Sequence, residues 1–289
     1  MKRIAILGCE NSHANAFLSF IKGKEEFSDV EVIGVYSNER EAAEKLSEKF
    51  GVPVMDDYSD AVGKIDGLII TARHGDNHYK YAEPYIDSGI PMFIDKPITI
   101  NEDEAVAFMK RLVDKNIRIS GGSSLKQDML VRRLKEDAEN KVGGRTVGGY
   151  VRAPYQSDSI YGGFYFYAQH LVEMVCEIFG RFPISVTARR NGGQIHVLFH
   201  YEEYDCVGLF CDKNNYYYAS RMAESDAKGF VIPFTNDWFY EEFKEFYGIL
   251  SGNSQMLDYA DFISPVFIMN AIERSLKNGK EELVKKILL

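Results

Sequence analysis

Through residue 121 the chain alternates short apolar runs with amphipathic stretches. Ile4-Ala5-Ile6-Leu7-Gly8 predicts a strand ending in glycine, followed by a helix from Ser12 to Lys22. Val30 to Tyr36 is β-branched and predicts a second strand; Glu39 to Phe50 then sets Ala43, Leu46 and Phe50 on one helical face. Further strands are expected at Gly67 to Ile70, Met92 to Ile94 and Ile117 to Gly121, with a helix from Tyr79 to Ser88 stopped by Gly89. Asn101 and Glu104 form a capping box ahead of Ala105, Phe108, Met109 and Leu112, which share one helical face.

Buried strands alternating with helices require crossovers on both faces of a parallel sheet. The expected fold is therefore α/β, with an N-terminal doubly wound Rossmann sheet over residues 1–121. Ligands in such sheets bind at the carboxyl ends of the strands, where Gly8, Ser37, Thr71 and Lys96 should gather.

From residue 122 to 289 the rhythm changes. Thr146 to Ala153, Ile184 to Arg190, Gln194 to His200, Asp205 to Cys211, Tyr216 to Ser220 and Gly229 to Ile232 read as strands, several joined by Asn- and Gly-rich turns. Hairpins imply a largely antiparallel open sheet. In Gln194 to His200, Ile195, Val197 and Phe199 alternate with His196, Leu198 and His200, leaving one face wholly apolar. Helices are expected from Phe166 to Phe179, Trp238 to Leu250 and Asp261 to Lys277, the last despite Pro265. The expected whole is a dinucleotide-binding domain followed by an α+β domain for substrate and oligomerisation.

Composition narrows the function. With 34 Lys+Arg against 43 Asp+Glu the net charge is -9, which repels a nucleic-acid backbone. No run of some 18 apolar residues suggests a membrane span, and Met1-Lys2-Arg3-Ile4 runs directly into a strand, so a soluble, cytoplasmic protein is expected. Cys9, Cys176, Cys206 and Cys211 read as reduced core thiols.

Gly8-Cys9-Glu10-Asn11-Ser12-His13 stands where a dinucleotide fold places its phosphate turn, at a helix N-terminus that favours an anion. Only Gly8 of the three usual glycines is present, and Glu10 and His13 take the other places. At the end of the second strand, where a carboxylate would hold the ribose of NAD, the chain has Ser37, with Arg40 close behind; this leans towards a 2′-phosphate. Asp95-Lys96-Pro97 follows the strand Met92-Phe93-Ile94. A lysine half buried there loses ammonium stability and can exchange a proton with a hydroxyl. His170 shares a polar helical stripe with Glu173 and Glu177 and can face a cleft; His170 and Glu173, three residues apart, are two ligands without a convincing third and do not make a metal site.

Taken in order, Thr71-Ala72-Arg73-His74 with His78, Asp95-Lys96-Pro97, Tyr161-Gly162-Gly163 through His170, Phe179-Gly180 and the closing Ala271 to Lys280 resemble the Gfo/Idh/MocA family of NAD(P)-dependent sugar and polyol oxidoreductases. The resemblance implies NAD or NADP as cofactor. It makes Lys96 the catalytic lysine of the family's Glu-Lys-Pro motif and His170 a second proton-transfer or substrate-orienting residue. Gly8, Glu10, Asn11, Ser12, His13, Ser37, Arg40, Thr71, Ala72, Arg73, His78, Asp95 and Lys96 would then surround the cofactor. It also implies a homodimer or homotetramer formed through the open sheet face. One departure stands out: Phe166 occupies the place of the family's aspartate, four residues before His170. With the eroded glycine turn, it sustains an alternative, a catalytically silent relative binding a nucleotide or sugar as a regulatory or scaffolding protein.

Overall fold

The computed structural model describes residues 1–287. Its first half runs β1 (Lys2–Leu7), α1 (Ser12–Gly23), β2 (Val30–Tyr36), α2 (Arg40–Phe50), β3 (Gly67–Ile70), α3 (Asp76–Ala82), β4 (Met92–Asp95), α4 (Glu102–Asp114) and β5 (Ile119–Gly122). These strands form one parallel sheet in the order β2-β1-β3-β4-β5. Every residue of β3, β4 and β5 is buried, as strands covered by helices on both faces must be. The chain passes from β1 to one side at β2 and to the other at β3, so a crevice opens beyond the carboxyl ends of β1 and β3.

Gly8 closes β1 at that crevice with φ of 72°. A Cβ there would overlap the backbone of Ala72, so only glycine lets the two loops approach. The Thr71 hydroxyl donates to the Gly8 carbonyl at 3.1 Å, locking the contact. The helix expected from Tyr79 begins earlier, at Asp76, and tightens into a 3-10 turn over Glu83–Ser88. Pro84 lacks the N–H that an α-helical ladder needs, which favours that tightening.

The second half comprises α5 (Met129–Glu139), β6 (Thr146–Tyr155), α6 (Tyr165–Phe179), β7 (Ser185–Asn191), β8 (Gln194–His200), β9 (Asp205–Asp212), β10 (Tyr217–Ala223), β11 (Ala227–Ile232), α7 (Asp237–Leu250), α8 (Tyr259–Asn278) and β12 (Glu282–Leu283). The sheet order is β11-β10-β6-β9-β8-β7-β12, antiparallel except where β6 runs parallel to β9. In β8 the apolar set Ile195, Val197 and Phe199 is buried against the helices, as the alternation predicted. Opposite it, Leu198, Val207, Tyr150, Tyr218 and Val231 fall on the other face through the cross-strand register. Pro265 sits within α8, freeing the Asp261 carbonyl; the Ser264 hydroxyl and the Arg181 guanidinium satisfy it instead.

Helix α7 leaves the second sheet and packs on the first. Phe17 of α1 meets Phe93 of β4 edge-on at 5.1 Å and Phe243 of α7 at 5.3 Å, while Phe246 approaches Phe93 at 6.4 Å. This aromatic cluster fixes α7 against α1 and so fixes one wall of the crevice. No helix among the described residues is long and apolar enough to cross a membrane. All four cysteines are buried and free.

Phe243→Ala should lose about 3–5 kcal/mol of stability, read from urea or thermal unfolding, because a fully buried ring leaves a cavity. Lys244→Ala, one residue on and exposed, should stay within about 0.5 kcal/mol; equal losses at both positions would contradict this packing.

Candidate active site

The crevice is assembled from strand ends and loops. The Gly8 and Cys9 N–H groups both reach the Tyr36 carbonyl, at 2.8 and 3.0 Å, turning the chain sharply after β1. Asn11 then caps α1, its side-chain oxygen accepting from the Ser12 N–H at 2.7 Å. The amide of the same side chain donates to Asp95 Oδ2 at 2.8 Å, tying the turn to the end of β4. Asp95 is wholly buried, and its Oδ1 accepts the Lys96 N–H at 2.7 Å. The Lys96–Pro97 bond is cis.

Lys96 is only 5% exposed, yet its ammonium makes no hydrogen bond or ion pair with any described residue. It lies 4.8 Å from the centre of the Phe166 ring and 5.5 Å from that of Tyr167. Burial lowers its pKa, outweighing the nearby Asp95 and Glu242 carboxylates, and the Arg73 charge pushes the same way. His170, on α6, has Nδ1 2.7 Å from the Ser123 hydroxyl. That oxygen already accepts the Leu125 N–H, so its proton can go to Nδ1 and leave Nε2 protonated. Burial holds the His170 pKa well below the ordinary range, so the ring is neutral at pH 7.

A cavity of about 390 Å³ joins these parts, lined by Asn11, Ser12, His13, Arg73, Lys96 and His170 among others. That volume falls in the range of small-molecule sites. The sequence anticipates those six residues. Six other wall residues it did not single out for the site: Tyr217 at the start of β10, Phe234 ahead of α7, Trp238 and Phe239 on α7, and Ser124 and Gln156.

His13 is buried between two acids. Its Nδ1 is 3.2 Å from Asp95 Oδ2 and its Nε2 3.2 Å from Glu242 Oε2, although neither contact has hydrogen-bond alignment. Burial pushes the imidazole down to about 4, so the histidine is neutral, and pushes the Glu242 carboxyl well up, favouring its protonated form. Phe239 packs edge-on against the same ring at 4.4 Å. In the sequence, Glu242 is an acid on the apolar face set by Phe239, Phe243 and Phe246, which was the available signal for a buried partner.

Other expected residues sit around the rim. Glu10 accepts from the Ser37 hydroxyl at 2.7 Å and from the Arg73 N–H at 2.9 Å, bridging the ends of β1, β2 and β3. Its negative charge is thereby held in place at the end of β2. Arg40 is turned away: its guanidinium pairs with Glu44 at 3.1 Å and Asp56 at 2.9 Å on the surface. The lean towards a 2′-phosphate is thus corrected, since the cation is already neutralised. His78 is fully buried, its ring nitrogens facing the Ala72 and Ile98 carbonyls at 2.8 and 3.2 Å, and it braces the loops instead of facing the cavity. Glu173 and Glu177 do not face the cleft with His170 either, being paired with Arg181, and Glu177 also with Lys135.

The residues fit a dinucleotide. A glycine turn packed without room for a Cβ leads into the N-terminus of a 12-residue helix, and the cavity beyond it reaches the lysine. Comparison with solved structures gives the same fold. Myo-inositol dehydrogenase from Corynebacterium glutamicum superposes with a TM-score of 0.84 at 15% identity, covering 99% of this chain and 100% of that one. Scyllo-inositol dehydrogenase from Lactobacillus casei, solved with NAD(H) and scyllo-inositol, gives 0.85 at 14% identity over 98% and 99%. Myo-inositol 2-dehydrogenase from Lactobacillus plantarum gives 0.84 at 14% identity over the same shares. No curated protein matches the chain by sequence. Residues 2–122, however, match the model of an oxidoreductase family with an NAD-binding Rossmann fold. That family is Gfo/Idh/MocA, and the match covers the parallel sheet and its phosphate turn.

Proposed function

We propose that the protein is an NAD-dependent dehydrogenase that oxidises a secondary hydroxyl of a small hydroxylated compound, or reduces the matching ketone. The reading rests above all on the buried, acceptor-free ammonium of Lys96 facing a cavity that begins at the phosphate turn. Residues 1–121 would hold the cofactor and residues 122–289 the substrate and the assembly contacts. Gly8, Asn11, Ser12 and Thr71 would form the cofactor turn. Glu10 and Ser37, joined at the end of β2, favour a free ribose over a phosphorylated one by charge. The solved Lactobacillus casei relative is an NAD(H)-bound polyol dehydrogenase, which supports the same substrate type here.

When bound, NAD supplies the hydride acceptor. The protein's part is to position the carbinol and move its proton. Lys96 is suited to take it, because desolvation favours the neutral amine, and a neutral amine gains a proton as the hydroxyl loses one. His170, held by Ser123 with Nε2 protonated, would donate to the same oxygen and orient it. The aromatic walls exclude water, so the polarity of both groups acts undiluted. Phe166 lies beside Lys96 as part of that wall and leaves the cavity open.

We also propose a homo-oligomer, a dimer or tetramer, through the uncovered sheet face. Val207, Met222 and Val231 are exposed there beside Tyr150 and Tyr218, an apolar surface of the kind that a second copy buries.

Lys96→Met should lower kcat about 10²–10⁴-fold while leaving NADH affinity, read by fluorescence titration, within several-fold; full activity would overturn the assignment. For oxidation, kcat/KM should rise with pH as Lys96 loses its proton, with a midpoint below the ~10.4 of an ordinary lysine. A pH-independent rate across that window would contradict the role. Light scattering should give a mass that is a multiple of 32.9 kDa, and Val207→Asp should shift it towards one chain. A monomeric parent protein would refute the assembly.

A further inference from the structure

Beside neutral hydroxyls and amides such as Ser12, Ser124, Gln156 and Tyr217, the cavity wall carries charge of one sign only. Of the charged side chains that line it, both are cations, Arg73 and Lys96, and no aspartate or glutamate is among them. Arg73 has no carboxylate partner among the described residues. Its guanidinium donates to the Tyr161 hydroxyl at 3.0 Å and lies 5.1 Å from that ring's centre. Glu10, on the neighbouring turn after β1, is taken up by the Arg73 backbone N–H and the Ser37 hydroxyl, and Glu39 accepts from the Tyr161 hydroxyl at 2.9 Å. Asp95 lies beneath Lys96 and already receives the Lys96 N–H and the Asn11 amide. The two cations are close enough that Arg73 depresses the lysine. A guanidinium offers five donors and an ammonium three, and neither accepts.

A neutral polyol could pair with the hydroxyls and amides of the wall but would leave both cations without a counter-charge. What this cavity lacks is an anion. Building on the dehydrogenase reading, we propose that the substrate is a hydroxy acid of the sugar-acid class, whose carboxylate is bound by Arg73 while its carbinol meets Lys96. A guanidinium fork matches a carboxylate in geometry as well as charge. Tyr161, Phe166 and Tyr167 would take the C–H face of the sugar skeleton. Oxidation sends the hydride to NAD and the hydroxyl proton to Lys96; the carboxylate is unchanged.

The test titrates D-gluconate, D-galacturonate and myo-inositol by calorimetry into the protein saturated with NADH. At least one acid should bind on the order of tenfold or more tightly than myo-inositol, the scale of one charge-assisted contact. Arg73→Gln should erase that preference, and Arg73→Lys should retain part of it. Equal or better binding of myo-inositol, or no binding of either acid, overturns the proposal. So does an Arg73→Gln protein that loses NADH affinity instead, since the cation then serves the cofactor's phosphates. The comparison of probes on the parent protein stands even if the glutamine variant fails to fold. If the parent protein binds no NADH, the dehydrogenase reading itself falls; if NADH binds but the acids are not preferred, only the substrate class falls.

Discussion

A lysine 95% withdrawn from water whose ammonium has no acceptor among the described residues is costly, and a fold keeps one only if something else in the molecule requires it there. Lys96 is that group. Its backbone is held by Asp95, Asp95 is held by Asn11 at the phosphate turn, and the ring of Phe166 offers only a weak cation–π contact. The charge is therefore only partly compensated by the protein. That incompleteness links the architecture to the chemistry, because a bound ligand supplies what the lysine lacks.

The same local network joins the phosphate turn, the end of β4 and α7. Asp95 touches the turn through Asn11 and faces His13 on α1, and His13 faces Glu242 on α7. With His13 neutral and burial favouring the protonated form of Glu242, this contact limits the charge brought into the interior, which suits a helix pinned by Phe17, Phe93 and Phe243. The usual small residue of a phosphate turn has been exchanged for an imidazole that braces α1 against α7. The turn nevertheless keeps Gly8, the one glycine whose absence the close approach of Ala72 would not tolerate.

Much of this was legible in the sequence where one local rule decided the outcome. Parallel strands buried on both faces read as continuous apolar runs, and β8 could be placed by simple alternation. Lys96 could be singled out because a strand end followed by proline is a local pattern. Helix α5 was missed because its buried residues are few, Val131, Leu134 and Asp137, among many charges. Arg40 was misread because only the fold brings Asp56 beside it, though Glu44 at the fourth residue on was a visible rival for its charge. The return of α7 to the first sheet, and with it the pairing of Glu242 with His13, depends on contacts between distant segments that no local pattern encodes.

The central claim is that residue 96 carries a desolvated amine poised to take a proton. Carbon-13 NMR of lysine-labelled protein, with Lys96 assigned by its Arg variant, measures this directly. The account predicts a Lys96 titration midpoint below the ~10.4 of an exposed lysine. A midpoint at or above that value would show a fully stabilised ammonium and contradict the account.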